Sequence, residues 1–190
     1  EAGQGFRQQT GELPKESAKM VGRINPVYAV STVSRISGGV FRNDMINDGR
    51  TRGITIMATD LNLLDTQRGH ISNGEFLTEV TSNFPMVVLG SVAAERLGIS
   101  TVSGEQRLWL KEEWFTVIGI LEPLPLAADL DRSALIGYPA AKQFLSHDGV
   151  PEVIYVRAYP EHVLDVRSVL SATVNPERPE EVQVSRASDV

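Results

Sequence analysis

An α+β fold in two lobes is predicted by the order of elements along the chain, and three observations predict it. The last third alternates strand, helix, strand, helix, strand. The first third offers one helix that runs into one strand. The middle is mostly strand, centred on "EQRLWLKEEWFTVIGIL", where apolar residues alternate on both sides of a tight turn. The two chain ends therefore build one α+β lobe, and a β-rich lobe is inserted between them. The boundaries read as a linker over 1–12, the first lobe over 13–48 plus 131–190, and the inserted lobe over 49–130.

The opening "EAGQGFRQQTGE" is polar and glycine-rich, which marks a linker or frayed start. "LPKESAKMVGRI" carries a proline where a first helical turn accepts one, and Leu13, Met20, Val21 and Ile24 share a face. "NPVYAVSTVSRIS" is rich in Val, Thr and Tyr between Asn-Pro and Gly-Gly, so it reads as a strand. "FRNDMINDGRTRG" holds an Asp-Gly turn signal, and "ITIMATDLNLL" returns as a strand before it loosens. "RGHISNGEFLTEVTSNFP" reads mostly as loop. Met86 to Leu89 then form a short buried strand. Ser91 is placed as a helix N-cap, with Gly98 at the helix end.

Leu108 and Leu110 alternate with Trp109. Phe115, Val117 and Gly119 alternate with Thr116, Ile118 and Ile120, across a turn near Lys111 to Glu113. "EPLPLAADLD" is a proline-bearing loop. "SALIGYP" is a strand, "AAKQFLS" a helix and "PEVIYVRAY" a strand. "PEHVLDVRSVLSATV" has Pro160 at its start and Val163, Val166, Val169 and Leu170 as its inward set. "VQVS" closes the chain as a strand.

Composition narrows the function. Apolar residues make up 42% of 190, enough for a real core. The net charge of -6 and a pI of about 5.1 argue against nucleic acid as a main partner, while leaving room for a small basic patch. The chain has no cysteine, which removes disulfides, thiolate catalysis and cysteine-ligated metal. It has no signal-like start, and no apolar run approaches the ~20 residues of a membrane helix. Beginning at Glu1, it reads as a fragment of something longer, with flanking membrane segments outside it.

Residues able to carry chemistry are scattered. His70, His147 and His162 lack any ligand spacing. Ser91 follows a strand and a glycine, but the G-x-S-x-G pattern of a nucleophile elbow is absent, so its role is structural. Asp60 with Asp65, and Asp129 with Asp131, are acidic loop residues of an acidic protein and read as solvated rather than as acid–base pairs. Asp129-x-Asp131 resembles the start of a calcium loop, whose remaining ligands are missing. No phosphate-binding glycine loop is present. No catalytic residue, metal or cofactor is therefore expected. Six leucines in loops form a candidate contact surface: Leu61, Leu63, Leu64, Leu124, Leu126 and Leu130.

Two stretches carry a family resemblance. "MVVLGSVAAERLGI" contains Val87, Val88, Leu89, Gly90, Ala94 and Leu97. "WFTVIGILEP" contains Phe115, Val117, Ile118, Gly119, Ile120 and Leu121. Together they resemble the extracytoplasmic domain of MacB-type ABC-transporter permeases, and more distantly the FtsX and lipoprotein-release permeases. There a segment V-V-(V/L)-G-x-x-x-A-x-x-L precedes a hairpin ending F-x-V-(I/V)-G-(I/V)-(L/M). Gly90, Ala94, Leu97, Phe115, Val117, Gly119 and Ile120 are taken as its structural motif. The two glycines punctuate strands where backbone bends or packs closely. Asn73-Gly74-Glu75-Phe76 resembles a family landmark with glutamate in place of its usual arginine, which puts in doubt only detailed contacts at that turn. The likeness spans roughly residues 13 to 190.

The resemblance implies a porter-like lobe from both chain ends and an inserted, Sabre-like lobe. It implies a non-catalytic domain on the extracytoplasmic side of the cell membrane, in a homodimeric or heterodimeric permease. That permease couples ATP-driven motion of a cytoplasmic ABC ATPase to an external substrate protein or peptide, or to an adaptor. The alternatives are a free-standing secreted or lipid-anchored binding module and, more remotely, a small hydrolase or transferase. Apolar runs of ~20 residues in the parent reading frame on both sides would mark the permease insert. A cleavable signal and a stop codon would mark the module. A pocket of titratable groups with shifted pKa values would mark the enzyme.

Overall fold

The computed structural model describes residues 4–8, 13–43 and 53–186. The Asp-Gly turn signal at 48–49 lies outside them. The chain divides into two compact units: Glu1–Ser34, Asn62–Arg68 and Val150–Val190 form the first, and Arg35–Leu61 and Gly69–Gly149 the second.

The first unit is an antiparallel sheet with helices packed on it. Its strands run in the order β11 (Val182–Arg186), β1 (Gln4–Gln8), β10 (Val153–Ala158), β2 (Val27–Ile36). Ile154, Val156 and Ala158 recur every second residue on β10, as a half-covered strand requires. They pack with Val163, Val166, Leu170 and Val174, the inward face of α6 (Val163–Val174). Pro160 opens the short 3-10 turn that leads into this helix. Val169, assigned to the inward set from sequence, is 44% exposed because the inward stripe follows Val166, Leu170 and Val174 and leaves it on the flank. Leu13 and Val21 join the same core from the entry and last residue of α1 (Ser17–Val21), Ile24 packs against it, and Met20 is half-buried. Arg167 and Ser171 of α6 donate long hydrogen bonds to the Val184 and Val182 carbonyls, which occupies acceptors of the end strand.

Gln4–Gln8, read as linker, is a strand. Its polar letters hide it because a strand between two neighbours is held by main-chain pairing that needs no particular side chain. The rest of 1–12 lies outside the described residues. The segment 62–68 also falls in the first unit, as the short helix α2 (Leu63–Gln67), with Leu63 fully buried.

The second unit is a mixed sheet in the order β4 (Thr55–Thr59), β9 (Ser133–Gly137), β6 (Met86–Leu89), β8 (Glu113–Leu121), β7 (Arg107–Leu110), β3 (Val40–Phe41). The strand β5 (Ile71–Gly74) also pairs with β8. β4 and β9 are parallel, as are β6 and β8; the other pairings are antiparallel. Two helices complete the core, α3 (Ser91–Leu97) and α5 (Tyr138–Leu145). Residues 35–43 and 131–149 thus fall with the middle of the chain and not with its ends. β9 is buried at all five positions, and its ladder with β4 and β6 ties it to this sheet.

Two loops of the sequence reading contain short elements. β5 and a 3-10 turn at Thr81–Asn83 interrupt 68–85, and α4 (Ala128–Asp131) closes the proline-bearing loop. The N-cap of α3 is Gly90, with no side-chain cap bond, so Ser91 is the first helical residue. The helix ends at Gly98, which is left-handed at φ 66.

Candidate functional site

The groups that can carry chemistry do not converge. His70 is exposed. His162 is an exposed residue 3.5 Å from Asp165, a surface pair of small energetic weight. The His147 side chain is largely buried, and its Nδ1 accepts the Gly149 backbone N–H at 2.8 Å. Asp131, 8% exposed, accepts the Leu124 backbone N–H at 2.9 Å, so its carboxylate closes the loop. Asp129 and Asp60 are half-buried, and Asp65 is exposed on α2. Among the described residues no group of three or more His, Cys, Asp or Glu could hold a metal ion.

The motif residues meet in the core of the second unit. Ala94, Leu97, Phe115, Val117 and Ile120 are all buried there, and Phe115 meets Phe144 edge-on with ring centres 6.2 Å apart. Gly90 donates its N–H to the Ser133 carbonyl at 2.9 Å, and a Cβ on it would lie 2.2 Å from the Leu130 oxygen. Gly119 faces Gly74 across the β5–β8 ladder. The Glu75 N–H bonds to the Ile118 carbonyl at 2.9 Å, and a Cβ on Gly119 would sit 2.1 Å from the Glu75 oxygen. The Glu75 side chain is exposed. This contact is made by main chain, so glutamate in place of the family's arginine leaves it intact.

The hairpin read from sequence forms as expected. Its turn residues Lys111 (φ 43) and Glu112 (φ 72) are both left-handed, the backbone that twists two strands together most readily. Lys111 Nζ donates to the Leu145 carbonyl at the end of α5, 3.0 Å away. An open cavity of about 540 Å³ lies here, bordered by Gly38, Lys111, Glu112, Glu113, Phe144 and Ser146. Trp109 and Trp114 pair across the strands with ring centres 5.1 Å apart.

Of the six leucines offered as a contact surface, Leu63, Leu124 and Leu130 are buried, and Leu61 and Leu64 are half-buried. Only Leu126, 51% exposed, lies on the surface as a contact residue must. Leu63 and Leu130 lie on the buried sides of α2 and α4, and Leu124 is held in the loop whose Leu124 N–H bonds to Asp131.

A different cluster, which sequence reading missed, lies in the first unit. Tyr28 at the start of β2 and Tyr159 just after β10 are each about half exposed, with ring centres 5.2 Å apart. The Tyr159 N–H bonds to the Pro26 carbonyl at 3.1 Å, which fixes the pair. Behind it Arg157 is buried and donates Nε to the Thr66 carbonyl. The Arg157 guanidinium is also the largest influence on the Tyr28 hydroxyl and holds its pKa below the ordinary phenol value. Partial burial opposes this, and Arg68, the left-handed cap of α2, adds to it. These residues come from separate parts of the chain, and no motif joins them.

Comparison with known proteins agrees with the geometry. The family model described as the MacB-like periplasmic core domain matches residues 2–169. No curated protein matches the sequence. The periplasmic region of MacB from Actinobacillus actinomycetemcomitans is similar in structure, with a TM-score of 0.76 at 12% identity, over 98% of this chain and 89% of that one. The extracellular domain of the noncanonic ABC-type transporter YknZ from Gram-positive bacteria gives 0.73 at 14% identity, over 97% of this chain and 100% of that one.

Proposed function

The chain belongs to the MacB-like periplasmic core domain family, and we propose that it is the non-catalytic outer domain of an ABC-transporter permease, moved by a cytoplasmic ATPase through the permease. The family match over residues 2–169 carries this reading. Among the described residues no helix is long and apolar enough to cross a membrane, so attachment would come from the parent permease. The physics of the second unit suits a component that transmits motion. Its hairpin is buttressed by main-chain contact of Gly119 with Gly74 and Glu75, which resists deformation because interiors packed this closely have no free volume to yield into.

The test uses the absence of cysteine from these 190 residues. Single cysteines on exposed residues of the domain, spin-labelled in the reconstituted dimeric permease with its ATPase, report the distance between two domain copies. A distance that changes between nucleotide-free and ATP-bound states is the expected result. Identical distance distributions in both states would overturn the reading.

A further inference from the structure

We propose that His147 is a proton-operated latch on the turn that ends the second unit, closed while its ring is neutral and opened by acid. The turn follows α5. Ser146 caps that helix in the left-handed region, at φ 54, and the His147 N–H bonds back to the Ala141 carbonyl at 3.2 Å. Two residues on, Gly149 is again left-handed, at φ 80, and a Cβ on it would run into the end of the Lys142 side chain. The Gly149 N–H is the one that His147 Nδ1 accepts, at 2.8 Å. The imidazole thus closes the turn on itself. Gly149 is also the last residue of the second unit, and the chain enters the first at Val150. The latch therefore holds the residues by which the chain passes from one unit to the other.

One nitrogen has two uses that exclude each other. To accept the Gly149 N–H, Nδ1 must offer its lone pair, so the neutral ring carries its hydrogen on Nε2. A proton taken from solvent onto Nδ1 occupies that same lone pair. The Gly149 bond then breaks, and the new N–H needs an acceptor. Asp148 Oδ1 is 3.7 Å from the same nitrogen and supplies one. Asp148 favours the charged ring, while Lys142 on α5 and Lys111, whose Nζ holds the Leu145 carbonyl at 3.0 Å, oppose it. Tyr138 packs on the ring at 6.0 Å between centres, and the His147 side chain is only 9% exposed. Glu112 and Glu113 border the open cavity that reaches Ser146, where solvent screens them. Burial and loss of the Gly149 bond oppose the charged ring more than one exposed carboxylate supports it. The stability that the neutral ring contributes is therefore present above the ordinary imidazole range, about 6.5, and is lost as pH falls. A domain outside the cytoplasm meets the pH of the cell's surroundings, which gives such a latch a signal to read.

The test is an NMR titration of the full 190-residue chain from about pH 8 to about pH 5, reading the His147 ring nitrogens and the Gly149 amide together. At the alkaline end Nδ1 should show the signature of an unprotonated nitrogen. On acidification the Gly149 amide should shift with the His147 midpoint. Its exchange protection, corrected for the intrinsic effect of pH, should fall about tenfold, the worth of one hydrogen bond. His70 and His162, both exposed, should titrate without moving Gly149. Asp148→Asn, at an exposed side chain, should lower the His147 midpoint by about 0.2–0.7 pH units. His147→Ala should leave Gly149 weakly protected throughout, and the unaltered chain's ring nitrogens decide the matter if this variant does not fold. A protonated Nδ1 at the alkaline end, a Gly149 amide indifferent to the His147 midpoint, or a midpoint unmoved by Asp148→Asn would overturn the proposal. None of these outcomes bears on ATP-driven movement of the domain, so this proposal and the functional reading fail separately.

Discussion

The two units achieve compactness by different means. The first is helix on sheet: aliphatic side chains of α1, α6 and β10 fill the space, and its described Gly22 would meet nothing closer than 3.4 Å if it carried a Cβ. The second brings main chain against main chain. A Cβ on Gly119, Gly90 or Gly137 would lie 2.1, 2.2 or 2.5 Å from the backbone oxygen of Glu75, Leu130 or Ser82. Side chains can change rotamer to absorb an intrusion, but backbone oxygens cannot. The first unit should therefore respond to substitution by degrees, and the second, at these glycines, by failing.

The largest effect that can break this contrast is Gly119→Val. It should cost more than about 4 kcal/mol and abolish cooperative folding of the second unit. Both tryptophans lie on β7 and β8, so fluorescence reads that unit; a soluble variant with an unshifted melt would refute the close approach. Next comes Leu170→Ala, a cavity in the first unit, expected to cost about 2–5 kcal/mol. Hydrogen exchange should quicken at Ile154 and Val156. Gly22→Ala sharpens the comparison from the other side. Gly22 is already in the right-handed region at φ -63, so alanine should leave stability unchanged or raise it by up to ~1 kcal/mol in a thermal melt.

The smallest effect is the titration of Tyr28. Its folded-state pKa lies below the ordinary 10.0, so the folded state holds fewer protons in that window. Stability from this group is then present above the unfolded value and is lost as pH falls through the lowered one. Phenolate absorbance should show one tyrosine titrating early. Tyr28→Phe should remove that phase, and Arg68→Gln should move it back toward the ordinary range.

Strong periodicity was readable along the chain. Alternation along β8, the turn at Lys111 and Glu112, and the inward stripe of α6 all follow from spacing, with Val169 misplaced by one flank position. What spacing cannot carry is choice of neighbour. β9 is apolar on both faces, so its letters do not say which sheet takes it. β1 is held through its main chain, and its polar letters gave no strand signal. Gly119 announced a close approach, but Glu75, which makes it, did so only through its backbone. The Tyr28 cluster joins three distant segments, and its logic exists only after folding.

The pairing of β1 with β11 sets Gln4 opposite Arg186 and Gln8 opposite Val182. Gln4 and Arg186, the described residues nearest the two chain ends, therefore share one rung of a single ladder, and attachments beyond them would pull on that rung. If the attachments are drawn apart, the rungs open in succession, like a zipper, and little tension is needed at any moment. If they are drawn the same way, no rung is strained, and the load passes through β1 into β10 and the rest of the sheet. The first unit is thus compliant to spreading and stiff to a common pull, like a pair of reins held in one hand.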